Sequence, residues 1–175
     1  TLVGDALVSG TSIVLDGTGD RVSVPSIALS GDRTVAFWIY YNSSPTAVVV
    51  GGPTNFDYYP YIIPTLIYIR DFAGGYVSWS TNTVANQWYH IAISGDGTTA
   101  TLYVDGVSKG TVADKSPTIN TIGSYGGGTF PLDGEIRDFR VFDTALTAAE
   151  VAFLASEAEV EVPNTKGSVL SIVPS

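Results

Sequence analysis

The stretch NQWYHIAISGDGTTATLYVDGVSKG, residues 86–110, decides the fold. In WYHIAIS (88–94) the side chains alternate. Tyr89, Ile91 and Ile93 fall on one face and Trp88, His90 and Ala92 on the other, which is the two-residue period of a strand. TATLYVD (99–105) carries the same pattern, and the turn GDG joins the two segments. Asp105-Gly106 then leads into VSKGTV as a two-residue hairpin, because both central positions of a type I′ turn need φ > 0. The stretch therefore reads as a β-meander at the centre of a sheet.

It also holds the only histidine in the chain. A hydrolase built on Ser-His-Asp would have to use His90 as its base. No nucleophile elbow accompanies it, and it lies within a strand rather than on a loop or strand end. His90 is read as structural.

Working outward, short strand-like segments recur with turn signals between them. They are SIVLD (12–16), RVSVP (21–25), RTVAFWIYY (33–41), TAVVVG (46–51), GYVSWST (75–81), TINTIG (118–123) and GEIRDFRVFD (134–143). Between them, NFDYYPYIIPTLIYIRDF (55–72) reads as a looser aromatic region interrupted by proline. Roughly ten strands without intervening helices predict an all-β, two-sheet antiparallel sandwich or jelly roll. One helix is expected over about 147–158. Thr147-Ala-Ala-Glu150 is a capping box, and Val151, Phe153 and Leu154 offer an apolar patch to dock on the sandwich. The domain is placed at 1–160. The remaining tail, 161–175, contains SVLSIV (168–173), which has the composition to add a strand to the sheet of its own domain or of a neighbouring subunit.

Composition agrees. With 175 residues, 45% apolar and 14% charged, the chain suits one domain with a buried core, and nineteen Gly and nine Pro supply its turns. A net charge of −9 argues against nucleic acid, whose phosphates such a surface repels. No apolar run reaches the roughly 18 residues of a membrane span. The absence of cysteine excludes disulfides and thiolate metal sites. The chain begins at Thr1 with no signal-peptide pattern, as a mature or excised form would.

Three blocks carry a resemblance to a known family. They are SIVLDGTGDRVSVP with TVAFWIY, then QWYHIAISGDGTTATLYVDGVSKG, then IGSYGGGTFPLDGEIRDFRVFDTALTAAEV. In order and spacing these resemble the laminin G-like, or concanavalin A-like, lectin/glucanase superfamily over roughly residues 6 to 155. The resemblance implies a jelly roll of two antiparallel sheets whose loops or concave face recognise a ligand. It also implies that an aromatic-x-His-Ile-Ala segment carries no catalytic duty. Fold does not fix function, so the sites must decide it.

For an enzyme, the resemblance implies two Glu around an Asp in an E-x-D-x-x-E pattern on a central strand. A retaining glycosidase needs such carboxylates about 5 Å apart. The five Glu are 135, 150, 157, 159 and 161, all in the C-terminal quarter, and the pattern does not occur. A non-catalytic module is expected.

The resemblance further implies a structural Ca²⁺ between the turn after the first strand and a carboxylate on the last long strand. The matching residues are Asp16, Gly17 and Asp138, with Asp20 as an addition; Ca²⁺ takes six to eight hard oxygens. Without the resemblance, Asp16-Gly17 is a turn and Asp138 pairs with Arg137 or Arg140.

For ligand contact, aromatic faces on loops are the signal. FDYYPY concentrates Phe56, Tyr58, Tyr59 and Tyr61, and Tyr125 stands in the glycine-rich loop GSYGGGTF. Packing of these rings in the core is the competing reading. The expected role is an extracellular or surface-displayed recognition or adhesion module that binds glycans or a cell surface. The alternative is a structural virion or appendage protein whose contacts, partly through the tail, are other protein subunits.

Overall fold

The computed structural model describes residues 1–43, 46–53, 57–71, 75–156 and, as backbone, 169–172. In chain order the strands begin with β1 (Leu2–Val3), β2 (Leu7–Ser9), β3 (Ser12–Asp16), β4 (Arg21–Ala28) and β5 (Asp32–Tyr41). Next come β6 (Ala47–Val48), β7 (Val50–Gly51), β8 (Tyr58–Ile63), β9 (Leu66–Asp71) and β10 (Gly75–Ser80). The meander follows as β11 (Trp88–Asp96), β12 (Thr99–Val104) and β13 (Val107–Ala113), then β14 (Thr118–Ile122) and β15 (Asp133–Phe142). Helix α1 (Ala148–Ser156) and β16 (Val169–Ile172) end the chain.

Two antiparallel sheets form. One runs β1-β4-β14-β7-β8-β9-β10 with β6 beside β8, and the other runs β13-β12-β11-β5-β15-β3-β2 with β16 on β15. The first is called sheet A here and the second sheet B. The opening stretch is indeed the meander β11-β12-β13, with Asp105 and Gly106 both at positive φ in its turn. Asp105 also fastens the turn to His90: the His90 amide donates to its carboxylate at 2.8 Å, and its own amide donates to the His90 carbonyl.

Alternation places the core. Val35, Phe37, Ile39 and Tyr41 of β5 and Tyr89, Ile91 and Ile93 of β11 point between the sheets, where Ile62, Ile67 and Ile69 of sheet A meet them. The opposite faces of β5 and β11 divide in two. Ala36 and Ala92 lie under α1, packed with Tyr103, Phe142, Leu146, Val151 and Leu154. Trp38 meets His90 edge-on, and the Arg137 guanidinium lies over the Trp38 and Trp88 rings.

The helix starts where its capping box predicts. The Thr147 amide donates to Glu150 Oε2 at 2.9 Å and the Glu150 amide to Thr147 Oγ1 at 3.4 Å. Val151 and Leu154 dock as expected, but Phe153 remains 51% exposed. Its position on the helix turns it away from the sheet, two residues from Val151. A second difference concerns residues 55–72. Where the sequence suggested a looser region, β8 and β9 form a hairpin closed at Ile63 and Leu66, with Pro64 in the turn instead of in a paired strand.

Candidate functional site: a tyrosine-lined face

The outward face of sheet A carries the aromatic cluster. Tyr58 pairs with Arg70 and Tyr61 with Tyr68, so three steps along β8 match two along β9. That extra residue is a β-bulge, and it shifts the phase of the strand. Tyr58 and Tyr61 both face outward as a result, while Tyr59 and Ile62 face the core. On β9, Leu66, Tyr68 and Arg70 alternate with the core residues Ile67 and Ile69. On β10, Tyr76 is 63% exposed.

Tyr125 joins them from the loop between β14 and β15. Gly51 makes this approach feasible. A Cβ there would meet the Ser124 carbonyl at 2.5 Å and the Tyr125 Cα at 2.9 Å. With that space the loop settles against β7, and the Tyr125 ring meets Tyr58 at 6.1 Å. Phe130 follows in the same loop, 50% exposed, its ring 5.9 Å from Tyr61 and 6.0 Å from Tyr125. Tyr68 lies 5.9 Å from Tyr61 and 5.5 Å from Tyr76. A recess of about 290 Å³ opens among Tyr58, Tyr61, Ile63, Tyr68 and Tyr76.

Burial raises the pKa of Tyr58, Tyr61 and Tyr125 above the ordinary value of 10, most strongly that of Tyr125, and the Arg70 charge opposes this only in part at Tyr58. Tyr58 and Tyr125 are themselves buried, 8% and 4% exposed, so the rings open to a ligand are Tyr61, Tyr68, Tyr76 and Phe130, with Tyr58 and Tyr125 packed behind them.

Of the five ligand candidates, Tyr58, Tyr61 and Tyr125 come together here, although two came from one segment and the third from a loop more than sixty residues away. Tyr59 does not belong with them. It is 0% exposed, lies beneath the Arg33 guanidinium and donates its hydroxyl to Asp114 at 3.4 Å. The bulge that turns Tyr61 outward leaves Tyr59 inside. Phe56 lies outside the described residues.

The expected calcium ligands do not converge. Asp133, not Asp138, is the cross-strand partner of Asp16, and Arg137 is the partner of Ser12. Asp138 is thus about five strand positions, roughly 17 Å, from Asp16. It sits at a register shift in β15 with φ 51 and binds Arg140 Nε at 2.6 Å, the pairing expected without the resemblance. Asp20 is buried, and its two carboxylate oxygens accept the Asp5 and Asp16 amides at 2.9 and 3.0 Å. Asp16 accepts the Thr18 amide at 2.7 Å. Gly17 backs onto Asp133, where a Cβ would approach the Asp133 Cβ to 2.9 Å. Among the described residues no three His, Asp or Glu side chains group as metal ligands. The proposed set of Asp16, Gly17, Asp20 and Asp138 does not fit one ion.

The laminin-G profile of the concanavalin A-like lectin/glucanases superfamily matches residues 16–152. The chain belongs to that superfamily. No curated protein matches the chain. Among solved structures, it is similar to domain 4 of AbnA, a GH43 extracellular arabinanase from Geobacillus stearothermophilus, in complex with arabinotriose. The TM-score is 0.70 and the identity 19%, over 89% of this chain and 82% of that one. The heptameric SAP-like pentraxin from Limulus polyphemus matches at TM-score 0.62 and 20% identity, over 93% and 94% of the two chains. The botulinum neurotoxin serotype D binding domain matches at 0.67 and 17%, over 89% of this chain and 45% of that domain.

Within this concanavalin A-like frame, the glutamates that the structure describes stand away from the tyrosine face. Glu135 lies on β15 of sheet B, and Glu150 caps α1. The residues lining the recess include no carboxylate. Sequence reading missed Tyr68, Tyr76 and Phe130. The alternation of Leu66, Tyr68 and Arg70 against Ile67 and Ile69 was a usable signal for Tyr68. Tyr76 and Phe130 are single aromatics, and only the sheet order reveals their place.

Proposed function

We propose that this superfamily member is a non-catalytic recognition module that binds glycans through the outward face of sheet A, and that it works at an extracellular or surface location. The observation carrying this reading is the wall of tyrosines around an open recess, with no carboxylate among its lining residues. Sugar rings have apolar faces that stack on aromatics and hydroxyls that exchange hydrogen bonds with phenols. A glycosidase needs two carboxylates flanking the bond it cleaves, and the described residues lining this recess supply none. The similarity to a domain solved with arabinotriose, together with a neurotoxin binding domain, supports the reading at the level of fold.

The test is a panel of soluble polysaccharides and a glycan array, run with the native chain and with Tyr68→Ala. Binding by the native chain that weakens about two- to tenfold or more in the variant supports the proposal, since one ring contact is worth about 0.5–1.5 kcal/mol. Retention by every Tyr68→Ala, Tyr61→Ala and Tyr76→Ala variant would place recognition elsewhere.

A further inference from the structure

The rings on sheet A are arranged in a file. Tyr76, Tyr68, Tyr61 and Phe130 follow one another with centroid steps of 5.5, 5.9 and 5.9 Å. The file crosses β10, β9 and β8 and ends beside β6, where the Phe130 carbonyl accepts the Val48 amide at 3.0 Å. Its two ends stand exposed and its two middle rings are half-buried. Consecutive ring planes are turned by 74°, 60° and 83°.

One end of the file is held at a cost. Phe130 has φ 51, a conformation that a bulky side chain rarely adopts. Strain of this kind persists where the surrounding structure enforces it, and it concentrates at ligand contacts. Phe130 gains little burial in return, since half of it faces solvent. A residue that served only the core would be buried.

Resting on the glycan reading above, we infer that the ligand is an internal segment of a single linear, non-flat polysaccharide chain, with Tyr76 and Phe130 as its two end contacts. Three features of the file point this way. Each step is close to the length of one sugar unit in an extended chain, so the file has room for several units in succession. The planes are mutually turned, which suits a twisted chain whose successive sugar faces rotate and does not suit a flat crystalline surface. The exposed rings at both ends and the half-buried rings between them offer contacts along the length of a chain instead of a pocket for one terminal sugar.

The experiment measures affinity of the native chain for soluble arabinan, xylan, mannan and mixed-linkage glucan, for their matched mono-, tri- and hexasaccharides, and for microcrystalline cellulose and chitin. Affinity that climbs from mono- to tri- to hexasaccharide supports the inference. Equal affinity for monosaccharide and hexasaccharide overturns it while leaving the glycan reading in place, as does binding to microcrystalline surfaces alone. No binding to any probe overturns both. Phe130→Gly, which frees the backbone at φ 51 while removing the ring, supplies the second readout. The expected result is hexasaccharide affinity down about tenfold with an unchanged or raised melting temperature. A lowered melting temperature with equal loss for every chain length would make Phe130 a packing residue and overturn its role as an end contact.

Discussion

Arg33 and Asp114 form an ion pair at 2.6 Å in the interior, the guanidinium 3% exposed and the carboxylate fully enclosed. Arg33 also donates to the Gly31 and Lys115 carbonyls, at 2.7 and 2.5 Å. Asp114 accepts the Gly97 and Lys115 amides at 3.0 and 2.8 Å. The pair thereby ties the start of β5, the β11–β12 turn and the exit of β13 into one network, with Tyr59 beneath it from the other sheet. Removing one partner of a buried pair strands the other charge and costs about 3–5 kcal/mol. Asp114→Ala is expected to lose that much in a urea melt; a loss below about 1 kcal/mol would show that the pair is dispensable.

His90 gives a pH dependence with a definite sign. Burial first, and the nearby Arg140 charge second, push its pKa down from 6.5 to about 4. The folded chain keeps the imidazole neutral in a range where the unfolded chain protonates it. Stability is therefore complete above pH 6.5 and falls as the pH drops toward 4, by up to about 3 kcal/mol from this group alone. His90→Gln should flatten the stability profile between those two values, and an unchanged slope in the variant would exclude His90 as its source.

Calcium should leave the melting temperature unmoved. Asp16 and Asp138 are held apart by the β3–β15 register, and both oxygens of Asp20 are engaged by backbone amides. A ligand that binds only the folded state raises its melting point. Scans with EDTA and with millimolar Ca²⁺ are expected to coincide, and a calcium-dependent rise would reveal a different ligand set.

The tail has a measurable role in sheet B. Strand β16 pairs along Phe139–Phe142 of β15, beyond the point where β3 leaves it. Deleting residues 162–175 would bare that stretch of edge, and uncovered edges invite pairing with another chain. Light scattering after gel filtration should show a monomer for the 175-residue chain and concentration-dependent association for the truncated one. Monomers in both cases would mean that the edge is protected by other means.

Much of the fold was legible in short-range pattern. The alternation of WYHIAIS, the Asp105-Gly106 turn and the Thr147/Glu150 box each specify a local geometry whatever surrounds them. Tyr59 was not legible, because a bulge decides which of two adjacent tyrosines faces the core, and the bulge arises from pairing with β9. The same limit applies to Asp138. Its distance from Asp16 depends on the β3–β15 register, a relation between residues more than a hundred positions apart. The tyrosine face was half visible for a similar reason. Its members on β8 announce themselves as a cluster, whereas Tyr76 and Phe130 gain meaning only from the order of strands.

Strand β15 joins segments from early, middle and late in the sequence. β15 takes β5 on one side, and on the other first β3 and then β16, changing over at the Asp138 shift. A nascent chain emerging from the ribosome thus carries β5 with one long edge open until β15, about a hundred residues later, has been made. Pairings across such spans close slowly and leave strand edges exposed meanwhile. Overproduction of this domain should therefore lose material to association through that open edge, and a lower growth temperature, which weakens apolar association, should raise its soluble yield.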